Sequence, residues 1–501
     1  MPEPSSALLT AWLLLPLLAA FTAPLLPSLA RPLALLSALL ATGLGLALSA
    51  GMGPWSLELI GPLGVLLQFD ATAAPFVLLN GLVVLAVLLD GWRQPLSGPF
   101  PVLLMVLLAG LNSAFVAVDL VSLYVALEVV GITAFLLMLG QRSGLQLWIG
   151  LRYLLLGNTV MVVYLLGVAL LYLPSGSFRL QALADLASAD SAEGAGATVA
   201  MVLALLLVGL LTKSGVFVSG LWLPRTHAEA PANVSALLSG VVVAGGLCPL
   251  LRLSQALPQL QPLLLWIGLA SALLGVIYAL AEGDLKRLLA WSTLSQVGLV
   301  ILDPAVGGVY ALAHGLAKAG LFLLAGRVGE RDLARWRRSP LPLQQALPLW
   351  LGALSIAGAP PLLGFWAKEG LSRSLSGPAS TVLLLAMVGT AAVYARLLLR
   401  PLAPVSSGLP LGPVLLALVL LAGGLLLAPL PDQGSLLKTG AVLAAGAGLE
   451  LLLDGARRAT VGLRGLALPA LERIDDLLGG IAVVGAALMA LLLRGGMPWA
   501  V

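Results

Sequence analysis

Thiols and imidazoles are nearly absent from this sequence of 501 residues, which contains one cysteine, Cys248, and two histidines. A disulfide needs two cysteines, and thiolate-bound iron–sulfur clusters need about four. With so few histidines, a histidine-rich metal site is also disfavoured. The chain is therefore expected to hold no cofactor and no metal. It also shows no catalytic motif, so whether it belongs to an enzyme depends on the chains around it.

Charged residues are scarce as well: they make up 10% of the chain, whereas hydrophobic residues make up 60%. Soluble proteins carry roughly 25% charged residues. A mean hydropathy of +1.07 exceeds what a soluble fold of this size could hide, so lipid is expected to surround most of the chain. The isoelectric point near 9.4 is then expected to reflect cytoplasmic loops, and no nucleic-acid partner is predicted.

Two further features are missing: sustained apolar–polar alternation, and a basic, cleavable signal segment at the N-terminus. Because open sheet edges do not occur in lipid, the apolar runs predict helices, and the first run is expected to be a retained helix. About 14–16 transmembrane helices of roughly 20 residues are expected. The runs lie near 6–26, 32–50, 73–90, 101–118, 120–139, 148–172, 198–218, 233–252, 261–281, 289–302, 307–326, 346–366, 379–400, 411–430, 435–453 and 479–494.

Basic residues predict the topology, because cytoplasmic loops are enriched in lysine and arginine. With the N-terminus outside, most of them fall on the inner side: Arg31, Arg93, Arg142, Arg225, Lys286, Arg287, Arg327, Arg331, Arg335, Arg337, Arg338, Arg396, Arg400, Arg457, Arg458, Arg464 and Arg473. The outer set is small: Arg179, Arg252, Arg373, Lys438 and Arg494. The expected location is a bacterial inner membrane. Three tryptophans are expected to be interfacial anchors: Trp222, Trp291 and Trp366.

Two apolar segments are interrupted by glycine and proline, and each carries a lysine. The first spans 211–224 around Lys213, and the second spans 357–369 around Lys368. Glycine and proline here cannot continue an ordinary helix, and paired broken helices are typical of inverted-repeat transporters. Ordinary membrane glycine and proline are the alternative interpretation.

The fold class predicted from these interruptions is an all-α polytopic membrane protein with two inverted five-helix repeats and broken helices. N-terminal transmembrane helices are expected over 1–100. The first repeat would occupy 101–252, the second 261–400, and further C-terminal helices 401–501.

Glu128 lies in the middle of an apolar run, where a carboxylate costs at least ~2.5 kcal/mol on insertion scales. Lys213 lies late in the seventh run. Burial favours the neutral form of either group, whereas a neighbouring opposite charge favours the charged form. A Glu128–Lys213 pair could thus alternate between protonation states, although a purely structural ion pair is the alternative.

His314 and Lys318 are four residues apart and should share one helix face. Histidine can exchange protons near neutral pH, which suits a relay, although His314 could instead be an interhelical hydrogen-bonding residue. Arg152 is either a relay group or a structural residue that extends toward the inner interface. Lys368 and Glu369 adjoin the second break and are expected to end the relay or cap it on the outer side.

Six stretches together resemble the antiporter-like membrane subunits shared by Mrp-type multi-subunit Na+/H+ antiporters and respiratory complex I. They lie in order between about 100 and 400: LYVALE at 123–128, KS at 213–214 with WLP at 222–224, EAPANVSALLSG at 229–240, DLKRLLAWSTLSQ at 284–296, HGLAKAGLF at 314–322 and PPLLGFWAKE at 360–369. The set is highly specific, although each piece alone is weak. The chain looks most similar to the D-type subunit of the Mrp complex.

The resemblance implies a fourteen-helix core in which Glu128 and Lys213 form the charged pair of the first half-channel. It places His314, Lys318 and Lys368 on the central axis and in the second half-channel. D-type relatives usually carry a lysine eight residues before the arginine that matches Arg252, where this chain has Ala244. The usual link between half-channels would therefore lack its cation.

Three functions follow from the resemblance as alternatives. The chain would be a proton- and cation-translocating subunit of a Na+ or K+/H+ antiporter, with other membrane subunits as partners. It would otherwise be a proton-pumping subunit of a complex I-type quinone oxidoreductase, or a scaffold subunit that translocates nothing. Ala244 motivates the last of these.

Overall fold

A computed structural model describes residues 4–59, 64–93, 98–141, 143–188, 195–336, 338–403, 408–426, 431–459, 468–469 and 471–493. Within these ranges eleven helices are long and apolar enough to cross a membrane, and four shorter apolar helices accompany them. The all-α polytopic fold class is therefore confirmed. Four residues used to predict the topology lie outside the described residues: Arg142, Arg337, Arg464 and Arg494.

The helices are α1 (Ser6–Leu25), α2 (Ala30–Ser49), α3 (Ala74–Asp90), α4 (Phe100–Val116), α5 (Leu120–Met138), α6 (Gly144–Ser175), α7 (Leu180–Ser188), α8 (Ala195–Ser214), α9 (Leu223–Glu229), α10 (Ala232–Leu237), α11 (Ala244–Ala256), α12 (Gln261–Ala281), α13 (Leu285–Val300), α14 (Pro304–Ala325), α15 (Leu333–Trp336), α16 (Leu343–Ala357), α17 (Leu363–Ser374), α18 (Gly377–Leu398), α19 (Leu411–Leu426), α20 (Gln433–Ala459) and α21 (Ile474–Leu493). A π-helical turn, Leu238–Val242, joins α10 to α11.

Four strands complete the fold. β1 (Trp55–Leu59) and β2 (Val65–Phe69) pair antiparallel, with Leu57 opposite Leu67, and β3 (Leu341–Pro342) pairs parallel with β4 (Leu402–Ala403). The expectation that alternation is absent is therefore wrong for 55–59. Trp-Ser-Leu-Glu-Leu alternates over five residues, which is long enough for a hairpin strand outside the bilayer but too short to span it.

Side-chain caps fix where several spans begin, as expected for aspartate and serine before a helix. Asp119 accepts a hydrogen bond from the Ser122 backbone N–H at 2.7 Å and starts α5. Asp284 accepts one from the Arg287 backbone N–H at 3.0 Å and starts α13. The cap of α5 fixes the depth of Glu128, and the cap of α13 fixes the depth of the backbone that meets Lys318.

Both predicted breaks are confirmed. The first separates α8 from α9, and Gly215, with φ +75°, follows directly after the helix. The second separates α16 from α17, and Gly358, with φ +92°, ends α16. A positive φ is a conformation that glycine adopts without strain. Each break exposes the carbonyl end of a helix inside the bundle, and a lysine lies beside each: Lys213 in the last turn of α8, and Lys368 facing the end of α16.

The C-terminal segment crosses between the two predicted repeats at one end of the bundle. Glu472 accepts hydrogen bonds from the Arg287 guanidinium at 2.7 and 3.2 Å, and its backbone carbonyl accepts one from Arg152. Farther along, α21 packs against α8, with Gly485 beside Val208. The segment therefore contacts both α13 and α6 through Glu472, and it then packs against α8 through α21.

Candidate functional site

Glu128 and Lys213 are neighbours, which sequence could not establish. Lys213 Nζ lies 3.5 Å from Glu128 Oε1, and the two side chains are only 17% and 10% exposed, with the lysine the less exposed of the two. When its amide nitrogen faces α5, Asn158 also donates to Glu128 Oε2 at 3.1 Å. At 3.5 Å the two charged groups form an ion pair that is longer than a direct hydrogen bond.

A small cavity adjoins the Lys213 ammonium. Its volume is ≈ 10 Å³, about the room that one water molecule needs. Its lining includes Gly131, Tyr153, Gly157, Thr212, Lys213 and Trp222. A methyl group on Gly131 or Gly157 would lie 3.2 or 3.3 Å from Lys213 Nζ, so the two glycines keep space free around the charge.

Lys318 lies at the centre of the bundle and is fully buried. Its ammonium donates to the Leu289 carbonyl of α13 at 2.7 Å and lies 5.5 Å from the ring centre of Tyr394. The Tyr394 hydroxyl shares a 2.8 Å hydrogen bond with Ser292. No carboxylate pairs with Lys318 among the described residues, so a carbonyl and an aromatic face compensate its burial.

His227 was missed by the sequence analysis, which considered only the histidine in mid-span. Pro224 begins the short helix α9 after the first break, and this helix carries His227 into the core. Its ring lies between those of Trp222 and Phe322, at centroid distances of 5.9 and 6.1 Å. The groups nearest to its ring nitrogens include the backbone of Leu223 and Leu238, with which the ring interacts. The sequence feature that could have indicated His227 is the stretch 223–229. It follows the break and has a proline in its first turn, as expected where a new helix begins.

His314 and Lys368 are brought together, as the resemblance implies. Both line a second cavity of ≈ 10 Å³, with Gln296, Tyr310 and Ser355 among its other lining residues. The Tyr310 hydroxyl donates to Gln296 Oε1 at 2.8 Å, whereas neither nitrogen of His314 has a partner in the part of the chain that the structure describes. Lys368 donates to the Ala357 carbonyl at 3.4 Å, at the exposed end of α16.

Glu369 points away from that cavity. It lies at the edge of an open vestibule of ≈ 670 Å³ that Trp366 and Lys438 also line. Arg373 Nε donates to Glu369 Oε1 at 2.6 Å, and the Ser435 hydroxyl oxygen lies 2.6 Å from the same oxygen. Lys368 and Glu369 are therefore consecutive residues that line different cavities, one inside the bundle and one at its mouth.

A second vestibule, of ≈ 700 Å³, opens elsewhere on the molecule. Lys286, Glu229, Arg327 and Arg331 are among its lining residues. Lys286 donates to the Ala230 carbonyl at 2.5 Å, close to the end of the helix that carries His227. Water can thus approach the buried groups from two separate openings.

Arg152 does not join this group. It is buried on α6, where it donates to the Glu472 carbonyl. Among the described residues, no hydrogen bond joins it to Glu128 or Lys213. Trp222 and Trp291, at 3% and 1% exposure, lie inside the bundle, so the prediction that they are interfacial anchors is wrong. Both indoles donate inside the protein, Trp222 to Thr212 and Trp291 to Glu282.

Ala244 leaves an apolar stretch between the two halves. It is buried, and its neighbour Gly245 faces Leu111 and Leu127. No side chain at 244 can carry charge from Lys213 toward Lys318. His227 is a titratable group between the two lysines. Its ring contacts Trp222, which lines the Lys213 cavity, and Phe322, which lies one helical turn beyond Lys318.

Comparison with known proteins agrees with this geometry. Residues 117–394, more than half of the chain, match the family model described as NADH:quinone oxidoreductase/Mrp antiporter, TM. The chain is 34% identical over 342 residues to NADH-quinone oxidoreductase subunit N of Desulforudis audaxviator, covering 63% of this chain and 66% of that one. It is 29% identical over 345 residues to the D-type subunit of the Na+/H+ antiporter of Alkalihalophilus pseudofirmus, covering 64% and 68%.

The fold is similar to a chain in the structure of the Mrp complex from Dietzia sp., with a TM-score of 0.76 and 25% identity. That likeness covers 98% of this chain and 60% of the Dietzia chain. The two curated relatives are matched over only about two thirds of their length. The region that matches the family model includes both breaks, the Glu128–Lys213 pair and Lys318. This chain therefore belongs to the NADH:quinone oxidoreductase/Mrp antiporter transmembrane family.

Proposed function

We propose that this protein is a proton- and cation-translocating subunit of a multi-subunit membrane complex that exchanges Na+ or K+ for H+. The observation that carries the proposal is the Glu128–Lys213 pair, loosely joined at 3.5 Å beside a water-sized cavity in an apolar bundle. Ionisable groups at membrane depth are costly, and they usually mark ion or proton pathways.

The pair works as a switch. In general, a buried carboxyl group favours its charged form beside an ammonium and its neutral form when the ammonium moves away. The carbonyl end of α8 offers the Lys213 ammonium a second position. A proton can thus be bound and released by a movement of a few ångström. Gly131 and Gly157 leave the ammonium room for that movement.

From Lys213 the proposed route continues through His227 to Lys318, then past Tyr394 and His314 to Lys368. The two cavities of ≈ 10 Å³ lie at its two ends, beside Lys213 and between His314 and Lys368. Among the described residues, the ring nitrogens of His314 have no hydrogen-bond partner, which leaves them able to accept and pass on a proton, and the His227 ring interacts with backbone alone. Glu369 connects Lys368 to the wide vestibule.

The antiporter assignment draws on the relatives. One is the D-type subunit of a Na+/H+ antiporter, and the Dietzia structure is that of an Mrp complex. By analogy this chain works beside other membrane subunits in a bacterial cell membrane. Its N-terminus would lie outside, so that the vestibule at Glu369 opens outward and the vestibule at Lys286 opens inward.

A second candidate is a proton-pumping subunit of a complex I-type quinone oxidoreductase. It is favoured by the 34% identity to NADH-quinone oxidoreductase subunit N. The two functions differ in the neighbouring subunits rather than in the residues of this chain. Purification in mild detergent separates them: antiporter-type partner subunits support the first function, and redox subunits support the second.

A scaffold role is the third candidate, and Ala244 is the observation that favours it. The test is proton flux in membrane vesicles that contain the assembled complex with Glu128→Gln or Lys213→Ala in this chain. Translocation predicts that flux falls by roughly tenfold or more in either variant, which corresponds to about 1.4 kcal/mol. Unchanged flux in both variants, with the complex intact, would show that the chain is a scaffold.

A further inference from the structure

Arg373 lies across the outer mouth of the proposed route. Its Nε donates to Glu369 Oε1 at 2.6 Å, and its Nη2 donates to Asp432 Oδ1 at 2.9 Å. Glu369 belongs to α17, whereas Asp432 precedes α20. One guanidinium thus bridges two carboxylates from separate elements at the wall of the ≈ 670 Å³ vestibule.

Ser435 completes the arrangement. Its hydroxyl lies 2.6 Å from Glu369 Oε1 and 2.7 Å from Asp432 Oδ1, and Arg373 Nη2 approaches it at 3.3 Å. The Ser435 hydroxyl and backbone N–H, together with the Arg373 charge, hold the pKa of Asp432 below its ordinary value. Asp432 therefore stays an anion and anchors the guanidinium over Glu369.

Glu369 and Arg373 differ in how much of each side chain is exposed to solvent. The Glu369 side chain is 10% exposed, whereas the Arg373 side chain is 63% exposed. The guanidinium is therefore open to the vestibule, whereas the carboxylate is largely covered. An exposed guanidinium can leave such a site at little cost, because exposed ion pairs are weak.

We propose that Arg373 is the outer gate of the route: its guanidinium covers the Glu369 carboxylate until it swings into the vestibule. The proposal deepens the proposed function and rests on it. Arg373 is a positioning residue, because it acts through Glu369 and does not itself carry the proton.

Proton transfer through the gate takes two steps. When Arg373 leaves, a Glu369 oxygen forms an O–H bond with a proton from the outer water. That bond then breaks as the neutral amine of Lys368 takes the proton through water and becomes an ammonium. The carboxylate left behind pairs again with Arg373, which prevents the proton from returning.

Few other charges face Glu369. Lys368 and Arg373 share its helix, and Asp432 and Lys438 come from the segment around the start of α20. From α14, which packs against α17, the titratable and charged groups are Tyr310, His314, Lys318 and the capping Asp303. The sequence of α16, which also packs against α17, contains no charged residue. The sequence of α19 contains no charged residue. Of this set, Arg373 is the cation hydrogen-bonded to Glu369.

The experiment measures proton uptake from outside into vesicles that carry the assembled complex, driven by an outward Na+ or K+ gradient, as outer pH is varied. In Arg373→Gln, Glu369 loses its cation and should accept protons from more alkaline solution. The outer pH at which uptake falls to half should rise by less than about one unit, because an exposed ion pair has a small effect. Arg373→Lys should retain most of the original profile.

Two controls separate gating from general damage. Lys438→Gln removes a cation of the same vestibule that contacts Ser372 instead of Glu369, and its profile should match the unaltered protein. In a Glu369→Gln background, Arg373→Gln should produce no further shift. Asp432→Asn, which leaves the guanidinium unanchored, should shift the profile in the same direction by a smaller amount.

An unshifted profile in both Arg373→Gln and Asp432→Asn would overturn the gate, as would equal shifts in the presence and absence of Glu369. Failure of the gate is distinguishable from failure of the proposed function. If Glu128→Gln abolishes uptake while Arg373→Gln leaves the profile unshifted, translocation stands and only the gate is wrong.

Discussion

At the scale of single residues, the sequence predicts which charged side chains are buried but not which side chains lie next to them. Glu128, Lys213 and Lys318 could be predicted because an ionisable side chain within an apolar run is unusual in itself. His227 could not, because its importance depends on the rings of Trp222 and Phe322, which are 5 and 95 positions away in the chain. Proximity between distant positions is set by helix packing, which composition and spacing do not encode.

Space around the Lys213 ammonium is the residue-scale feature open to direct test. In Gly131→Ala the new methyl carbon would lie 3.2 Å from Lys213 Nζ and would crowd the water-sized cavity. Overpacking of a filled site typically costs about 1–3 kcal/mol, and if that cost falls on the movement of Lys213, proton flux should drop by roughly tenfold. The measurement is proton flux in vesicles that contain equal amounts of the complex with and without the substitution.

The matched control is Gly448→Ala in α20, where an added methyl group meets nothing within 4 Å. Flux in this variant should equal that of the unaltered protein. Equal flux in Gly131→Ala and Gly448→Ala would mean that the room beside Lys213 has no part in transport.

At the scale of helices, the apolar runs predicted nearly every span within a few residues, because lipid leaves helices as the structure available to a long apolar segment. The β1–β2 hairpin was missed since it lies outside the bilayer and alternates over only five residues. The boundaries of the predicted repeats stay a prediction. The breaks were visible because glycine and proline interrupt apolar runs that carry lysine.

The second break depends on the backbone conformation at Gly358. A side chain there would be strained at φ +92°, and its Cβ would lie 2.8 Å from Lys368 Cδ. In Gly358→Ala we expect the free energy of unfolding to fall by about 1–2 kcal/mol, the usual cost of a left-handed conformation in a residue with a Cβ. Thermal melting of the purified protein in detergent measures the change as a lower midpoint.

Gly440→Ala is the comparison variant for this test. Gly440 lies in α20 with an ordinary helical conformation and open space around its Cα. Alanine should leave the melting midpoint unchanged or raise it, because glycine inside a helix costs roughly 0.5–1 kcal/mol. If Gly358→Ala melts no lower than Gly440→Ala, the conformation at the break is not constrained as the structure indicates.

At the scale of the whole molecule, several ion pairs join residues that the topology prediction places on the same side of the membrane. Arg179–Glu58, Arg252–Asp70 and Arg373–Asp432 involve residues predicted to be outside, whereas Arg327–Asp90, Arg331–Asp284 and Arg287–Glu472 involve residues predicted to be inside. No pair among the described residues joins the two groups. In the proposed route, the barrier between the two sides is crossed by the buried line from Glu128 to Lys368.

The C-terminal segment is the part of the whole that sequence described least well. The run 479–494 predicted a helix, and α21 is present, but nothing in the sequence indicated that Glu472 would join Arg287 and Arg152. Such a contact forms between segments more than 180 positions apart. It links α6, which carries Tyr153 of the Lys213 cavity, to α13, which carries the carbonyl that holds Lys318.

The most direct test of translocation through this chain is to locate water inside the assembled complex by cryo-electron microscopy at a resolution that shows ordered solvent. We expect density for water beside Lys213 and between His314 and Lys368, with further water linking His227 to Lys318. Dry cavities, with Glu128, Lys213 and Lys318 each held in isolated contacts and no solvent between them, would contradict the account.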